Sequence, residues 1–130
     1  METILSNTVS ALGNYNNVPT AMASEAVLVT LLDGLKITKT ADKPAWADGV
    51  LTYTIVLTND ETKPYTAPVV TDIIDNTLVD FISGSVMIEG VAATDDQYSY
   101  NENTYTLTVL LDDIAATSTR TITFQVKKKV

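Results

Sequence analysis

The 130-residue chain contains no cysteine and no histidine. Without cysteine there are no disulfides, thiol nucleophiles or thiolate metal sites; without histidine the commonest metal ligand and general base is missing. Positive charge is also scarce, with eight Lys+Arg against sixteen Asp+Glu and a net charge of −8. Phosphate neutralisation needs clustered Lys or Arg, and the only basic run is Lys127-Lys128-Lys129, so no nucleic-acid partner is expected. No stretch approaches the roughly 18 apolar residues of a membrane-spanning helix. Met1–Ser10 lacks the basic start and apolar run of a signal peptide, so either such a segment has been removed or the chain does not use that export route. Asn-x-Ser/Thr sequons are absent.

What is abundant is strand-forming residues. Threonine makes up about a sixth of the chain, with Val, Ile and Tyr also frequent. In Leu51-Thr-Tyr53-Thr-Ile55-Val-Leu57-Thr, apolar residues fall on odd positions, the period of a half-buried strand. Ile122, Phe124 and Val126 alternate with Thr121, Thr123 and Gln125 in the same way. Comparable runs lie near 3–11, 21–32, 35–41, 67–74, 85–91 and 104–111. Turn signals separate them: Gly13-Asn14, Asn16-Asn17-Val18-Pro19, Asp33-Gly34, Asp48-Gly49, Asn59-Asp60, Ser83-Gly84 and Asp112-Asp113. About eight short strands with no helical period predict an all-β, antiparallel sandwich.

From Leu35 onward the sequence resembles the DUF11 (conserved repeat) immunoglobulin-like domain of bacterial and archaeal surface proteins. The resemblance rests on Leu35–Asp42 (LKITKTAD), Leu51–Asn59 (LTYTIVLTN), Val69–Asp72 (VVTD), Phe81–Val86 (FISGSV) and Thr121–Val126 (TITFQV), in the family's order. It implies a seven- to eight-stranded sandwich, repeated head to tail in surface proteins, with no catalytic turnover. The order departs from the family at one point. Such a repeat continues after its Ile-Thr-Phe strand with two more strands, whereas here a matching pair stands in front, as Ile4–Ala11 and Ala21–Thr30. In sandwich lettering the chain reads F-G-A-B-C-…-E. Residues 1–33 are therefore expected to form a donor hairpin, and 34–130 an incomplete acceptor sandwich.

Three arrangements could accommodate this order. Rejoining its own sandwich would require the hairpin to travel about 25 Å, the length of an eight-residue strand. The connector Asp33-Gly34 spans about 7 Å. A fragment of a longer array would end inside a sandwich. Donation to a neighbouring subunit by strand addition satisfies both halves, and a heterologous contact of this kind propagates into an open filament unless it closes into a ring. The expected interface comprises Leu5, Val9, Ala11, Val27, Val29 and Leu31 of the hairpin, with Ile122, Phe124 and Val126 of the acceptor.

Three polar residues share parity with apolar neighbours. Lys39 aligns with Leu35 and Ile37, Asn7 with Leu5, Val9 and Ala11, and Asp72 with Val70 and Ile74. Isolated buried charges cost several kcal/mol, so these groups are expected to meet. A Lys, an Asn and an Asp in an apolar sandwich are the ingredients of a spontaneous isopeptide bond, an arrangement that many Gram-positive surface domains share by resemblance. Burial favours the neutral amine of Lys39, which attacks Asn7, while Asp72 shuttles protons. The competing account leaves Lys39 in an ordinary ion pair with Asp42 or Asp72, Asn7 bonded to neighbouring backbone, and Asp72 capping a turn. Trp46 reads as local packing or a subunit contact, and Tyr98, Tyr100 and Tyr105 as packing around a turn. The acidic pairs Asp95-Asp96 and Asp112-Asp113 lack the spacing of a calcium loop.

The sequence thus points to a structural subunit of an extracellular or spore-surface fibre, partnered by copies of itself. It predicts no cofactor, metal or small-molecule substrate, and no enzyme activity beyond a single-turnover autocatalytic cross-link. The alternatives are one module of a tandem-repeat surface adhesin or S-layer-associated protein, or a carbohydrate-binding β-sandwich.

Overall fold

The computed structural model describes residues 2–129. The chain divides into two compact units, Met1–Asp33 and Gly34–Val130. The first holds β1 (Glu2–Asn7), β2 (Ser10–Tyr15), β3 (Val18–Ala23) and β4 (Val27–Leu32). These form one two-stranded antiparallel ribbon, in which β1 pairs with β4 and β2 with β3. Its tip is the turn Asn16-Asn17, where φ is 49° and 63°. Two central residues with positive φ are what a two-residue hairpin of this twist requires, and Asn tolerates that region better than most residues. Gly13 and Asn14, expected as a turn, lie inside β2.

The ribbon is interrupted once. Thr8 and Val9 on one arm face Ser24, Glu25 and Ala26 on the other, so one arm carries an extra residue and forms a bulge. The break is tied by the Ser24 amide donating to the Val9 carbonyl at 2.9 Å. The Val9 amide donates in turn to Ser24 Oγ at 3.1 Å.

The second unit holds β5 (Leu35–Ala41), β6 (Val50–Asn59), β7 (Val69–Ile73), β8 (Val79–Phe81) and β9 (Met87–Ile88). It continues with β10 (Val91–Ala92), β11 (Tyr98–Asn101), β12 (Thr106–Leu110) and β13 (Ser118–Lys128). Six strands make one sheet in the order β10-β9-β13-β6-β5, with β8 also on β13, and three make the other, β11-β12-β7. Pairing is antiparallel throughout. Alternation on β6 and β13 turns Leu51, Ile55, Leu57, Ile122, Phe124 and Val126 inward. There they meet Val70 of β7 with Leu107 and Val109 of β12 in one core, so the two sheets pack face to face.

The all-β class agrees with the composition. Among the described residues thirteen strands replace the eight expected, because the bulge splits both hairpin arms and because β8–β11 are only two to four residues long, too short for a period to register. Among the described residues no helix is long and apolar enough to cross a membrane.

Candidate functional site

The larger sheet ends at β5 and the smaller at β7, with no strand beyond either among the described residues. Both strands therefore present an unpaired backbone edge. Beyond β7 the inward side of β5 has no cover, and Ile37 is 61% exposed. An open groove results. One wall carries Leu35, Ile37 and Leu57, the other Tyr65, Pro68, Val69 and Val70, with Ile114 also in the lining. A second depression begins at Lys39 and Asp72 and runs past Tyr53, Leu51, Trp46, Ile73 and Leu78. The exposed Val69, Ile73 and Leu78 make this side of the unit apolar and open.

In the second depression, Lys39 Nζ lies 2.7 Å from Asp72 Oδ2, with side-chain exposures of 43% and 9%. Register explains the meeting: Lys39 lies opposite Ile55 on β6, and Asp72 opposite Leu107 on β12. Each thus sits on its own sheet and reaches across the groove. The ammonium also stands 4.4 Å from the centroid of the Tyr53 ring and 5.8 Å from that of Phe124, within reach of both ring faces. Two of the three polar residues singled out by parity are thus brought together. Asn7 lies in β1 opposite Val27, on the ribbon face that also carries Leu5 and Val29.

Two competing roles are resolved. Asp42 is not the partner of Lys39: it pairs with Lys43 at 3.1 Å and accepts the Thr52 amide at 3.0 Å. That backbone hydrogen bond, helped by Lys43, holds its carboxyl below the usual range. The turn after β7 is capped by Asp75, whose Oδ1 accepts the Thr77 hydroxyl and amide. Those bonds hold its carboxyl below the usual range as well.

The acceptor positions Ile122, Phe124 and Val126 need correction as contact residues. They are 0% exposed, lying on β13 inside the core of their own unit. Alternation identified their inward face correctly but could not say which strands cover it. The groove residues Leu35, Ile37 and Val69 occupy the open position instead. Trp46 packs against the core. Phe81 stacks on Tyr100 at 4.7 Å and meets Tyr98 edge-on at 6.4 Å, so these tyrosines pack between elements rather than on each other. Tyr105 sits in the β11–β12 turn with positive φ. Among the described residues, no three Asp or Glu gather as a metal-ligand group.

Sequence reasoning missed the knot at the mouth of the groove. Asn59, fully buried, donates from Nδ2 to the carbonyls of Lys63 (2.9 Å) and Ile114 (3.0 Å), and accepts the Glu61 amide at 3.0 Å. Glu61, also buried, accepts the Gly34 amide at 2.7 Å, and the Asp60 amide donates to the Gly34 carbonyl at 2.9 Å. This fixes the entry to β5. A signal was available in Asn59-Asp-Glu61 directly after a strand, but it read only as a turn.

No family model, curated protein or solved structure matches the chain, so the likeness to DUF11 rests on its five stretches alone.

Proposed function

We propose that the chain is a structural subunit of a self-assembling fibre, extracellular or on a spore surface. In this reading the ribbon of one copy completes the immunoglobulin-like, DUF11-like sandwich of the next. One observation carries it: the same chain holds a groove open along two strand edges and a two-stranded ribbon with no buried side chain among the described residues. Exposed strand edges and isolated hairpins are both unstable arrangements. Adding the ribbon beside β7 extends the smaller sheet by two strands, under the uncovered side of β5. Main-chain hydrogen bonds would supply affinity, and Leu5, Val27, Val29 and Leu31 would fill the groove. Donor and acceptor surfaces differ, so the contact is head to tail and, unless it closes into a ring, builds a filament.

Lys39 and Asp72 then lie beneath the incoming β1, where Asn7 is its one amide side chain. Proton transfer from Nζ to the Asp72 carboxylate within the covered pair frees the amine. Nζ attacks the Asn7 carboxamide carbon while Asp72 passes the protons. A C–N bond forms, the Asn7 Cγ–Nδ2 bond breaks, and ammonia leaves. A chain without cysteine would gain covalent continuity between subunits.

The test compares purified full chains by electron microscopy and intact mass. Fibres are expected from the unaltered chain, and none from Leu5→Asp or Val29→Asp. Dissociated material should contain pairs lighter than two monomers by one ammonia. Lys39→Ala should remove the mass loss and leave fibres. A chain that stays monomeric at high concentration refutes the reading, and fibres with unshifted masses remove the lock.

A further inference from the structure

The chain contains two Asp-Gly pairs, Asp33-Gly34 and Asp48-Gly49, and the fold treats them in opposite ways. In such a pair the backbone nitrogen of glycine can attack the preceding side chain, because no Cβ hinders ring closure and the dihedrals are free. The nitrogen bonds to the aspartate Cγ, a Cγ–O bond of the protonated carboxyl breaks, and the amide proton and carboxyl hydroxyl leave as water. The five-membered imide then takes up solvent water at either carbonyl. Opening at Cγ restores aspartate. Opening at the main-chain carbonyl leaves the backbone running through Cγ, as isoaspartate, with one more carbon in the chain.

Asp48-Gly49 presents the reactants to each other. The pair lies between β5 and β6, outside any strand, and both residues are exposed. The Gly49 amide donates to Asp48 Oδ1 at 2.8 Å, which holds the nitrogen against the carboxyl group it would attack. Gly49 has a φ of 83°, and a Cβ there would meet nothing within 4 Å, so the dipeptide has room to turn. Asp33-Gly34 is held the other way. Gly34 is buried, its amide donates to Glu61 Oε1 at 2.7 Å, and its carbonyl accepts the Asp60 amide at 2.9 Å. Ring closure takes the proton from the glycine nitrogen and turns the peptide. At Gly34 that would break a hydrogen bond to a carboxylate and set a developing negative charge beside it.

We propose that Asp48-Gly49 is a site of spontaneous isomerisation to isoaspartate, and that the Asn59–Glu61 knot shields Asp33-Gly34 from the same reaction. The inference goes beyond the fibre reading and does not depend on it; the chemistry asks only for solvent water. A charge-assisted hydrogen bond that must break before ring closure slows the reaction roughly ten- to a hundredfold. The two pairs differ in what their change would touch. The loop that ages carries Trp46, which lines the second depression. The pair that is kept is the connector from ribbon to body.

The experiment incubates the full folded chain in warm, mildly acidic buffer, where more of each carboxyl is protonated. Tryptic peptides ending at Lys36 and Lys63 are followed by fragmentation that distinguishes isoaspartate from aspartate. Isoaspartate should accumulate at position 48, and at position 33 roughly tenfold more slowly or less. The same chain in urea should form it at both positions at similar rates, because the knot is gone. Asp48→Glu, whose imide ring would have six members, should abolish the signal at 48 with circular dichroism unchanged. Equal accumulation at 33 and 48 in the folded chain overturns the shielding. A folded chain that forms none at 48, while the chain in urea does, overturns the site. If position 33 remains the slower one in urea, the difference lies in the flanking residues and the shielding fails as well.

Discussion

The ribbon and the body are written in similar residues and arrive at opposite states. Both are rich in Val, Ile, Leu and Thr, and both pair only antiparallel. In the body, fourteen hydrophobic side chains are buried in one core between two sheets; in the ribbon, Leu12 is 88% exposed and its neighbours are little better covered. Every Lys and Arg of the chain belongs to the body. The difference is one of layers. A strand buries its apolar row only against a second layer, and two strands alone cannot supply one. The ribbon is thus a finished secondary structure with unfinished tertiary structure.

The largest expected break in this contrast is a matched truncation. Phe124→Ala removes a ring with no exposed surface and should cost the body about 3–5 kcal/mol. Leu12→Ala should leave the melting of the unassembled chain unchanged, because nothing buried is lost. Calorimetry on dilute protein checks both, and a lowered melting point for Leu12→Ala would mean that the ribbon has cover within its own chain.

A smaller effect is expected at the entry to β5. A Cβ on Gly34 would stand 2.6 Å from Glu61 Oε1 and 3.1 Å from the Asp60 carbonyl carbon. The carboxylate is held by the Gly34 amide and is itself buried, so it has little room to yield. Gly34→Ala should cost the body about 1–3 kcal/mol by overpacking, read as a lower denaturant midpoint at unchanged slope.

The smallest effect is with acid. Asp42 and Asp75 are held below the ordinary aspartate value of 3.8 by hydrogen bonds from Thr52 and Thr77. A carboxyl depressed in the folded state stabilises above its unfolded value, and that contribution is lost as pH falls through the lower folded one. A titration of the melting point should therefore be flat above about pH 5 and decline only below 4. Asp42→Asn and Asp75→Asn should flatten part of that decline.

How much of this was legible follows the range of each interaction. The strands β5, β6 and β13 were readable because alternation over six or more residues is a local property, as was the inward parity of Lys39 and Asp72. The bulge was not readable: two residues facing three is a fact about pairing, and neither arm shows it alone. Gly13-Asn14 misled because turn composition competes with ladder pairing, and the ladder wins when a better turn, Asn16-Asn17, follows directly. Asn59 looked like punctuation and proved a buried anchor, since its partners Ile114 and Lys63 are fixed only once the chain has folded. The misassigned Ile122, Phe124 and Val126 mark the same boundary between which face is inward and what lies over it.

The uncharged stretch from Thr3 to Ser24 has a thermal consequence for the proposed junction. A joint made mainly from hydrocarbon and main chain, with no charged donor residue between Thr3 and Ser24, inherits the temperature dependence of apolar transfer. Its formation would carry a large negative heat capacity, respond little to added chloride, and be weakest near freezing. Chains kept on ice would then hold as a reservoir of free subunits, and warming would release them into polymer.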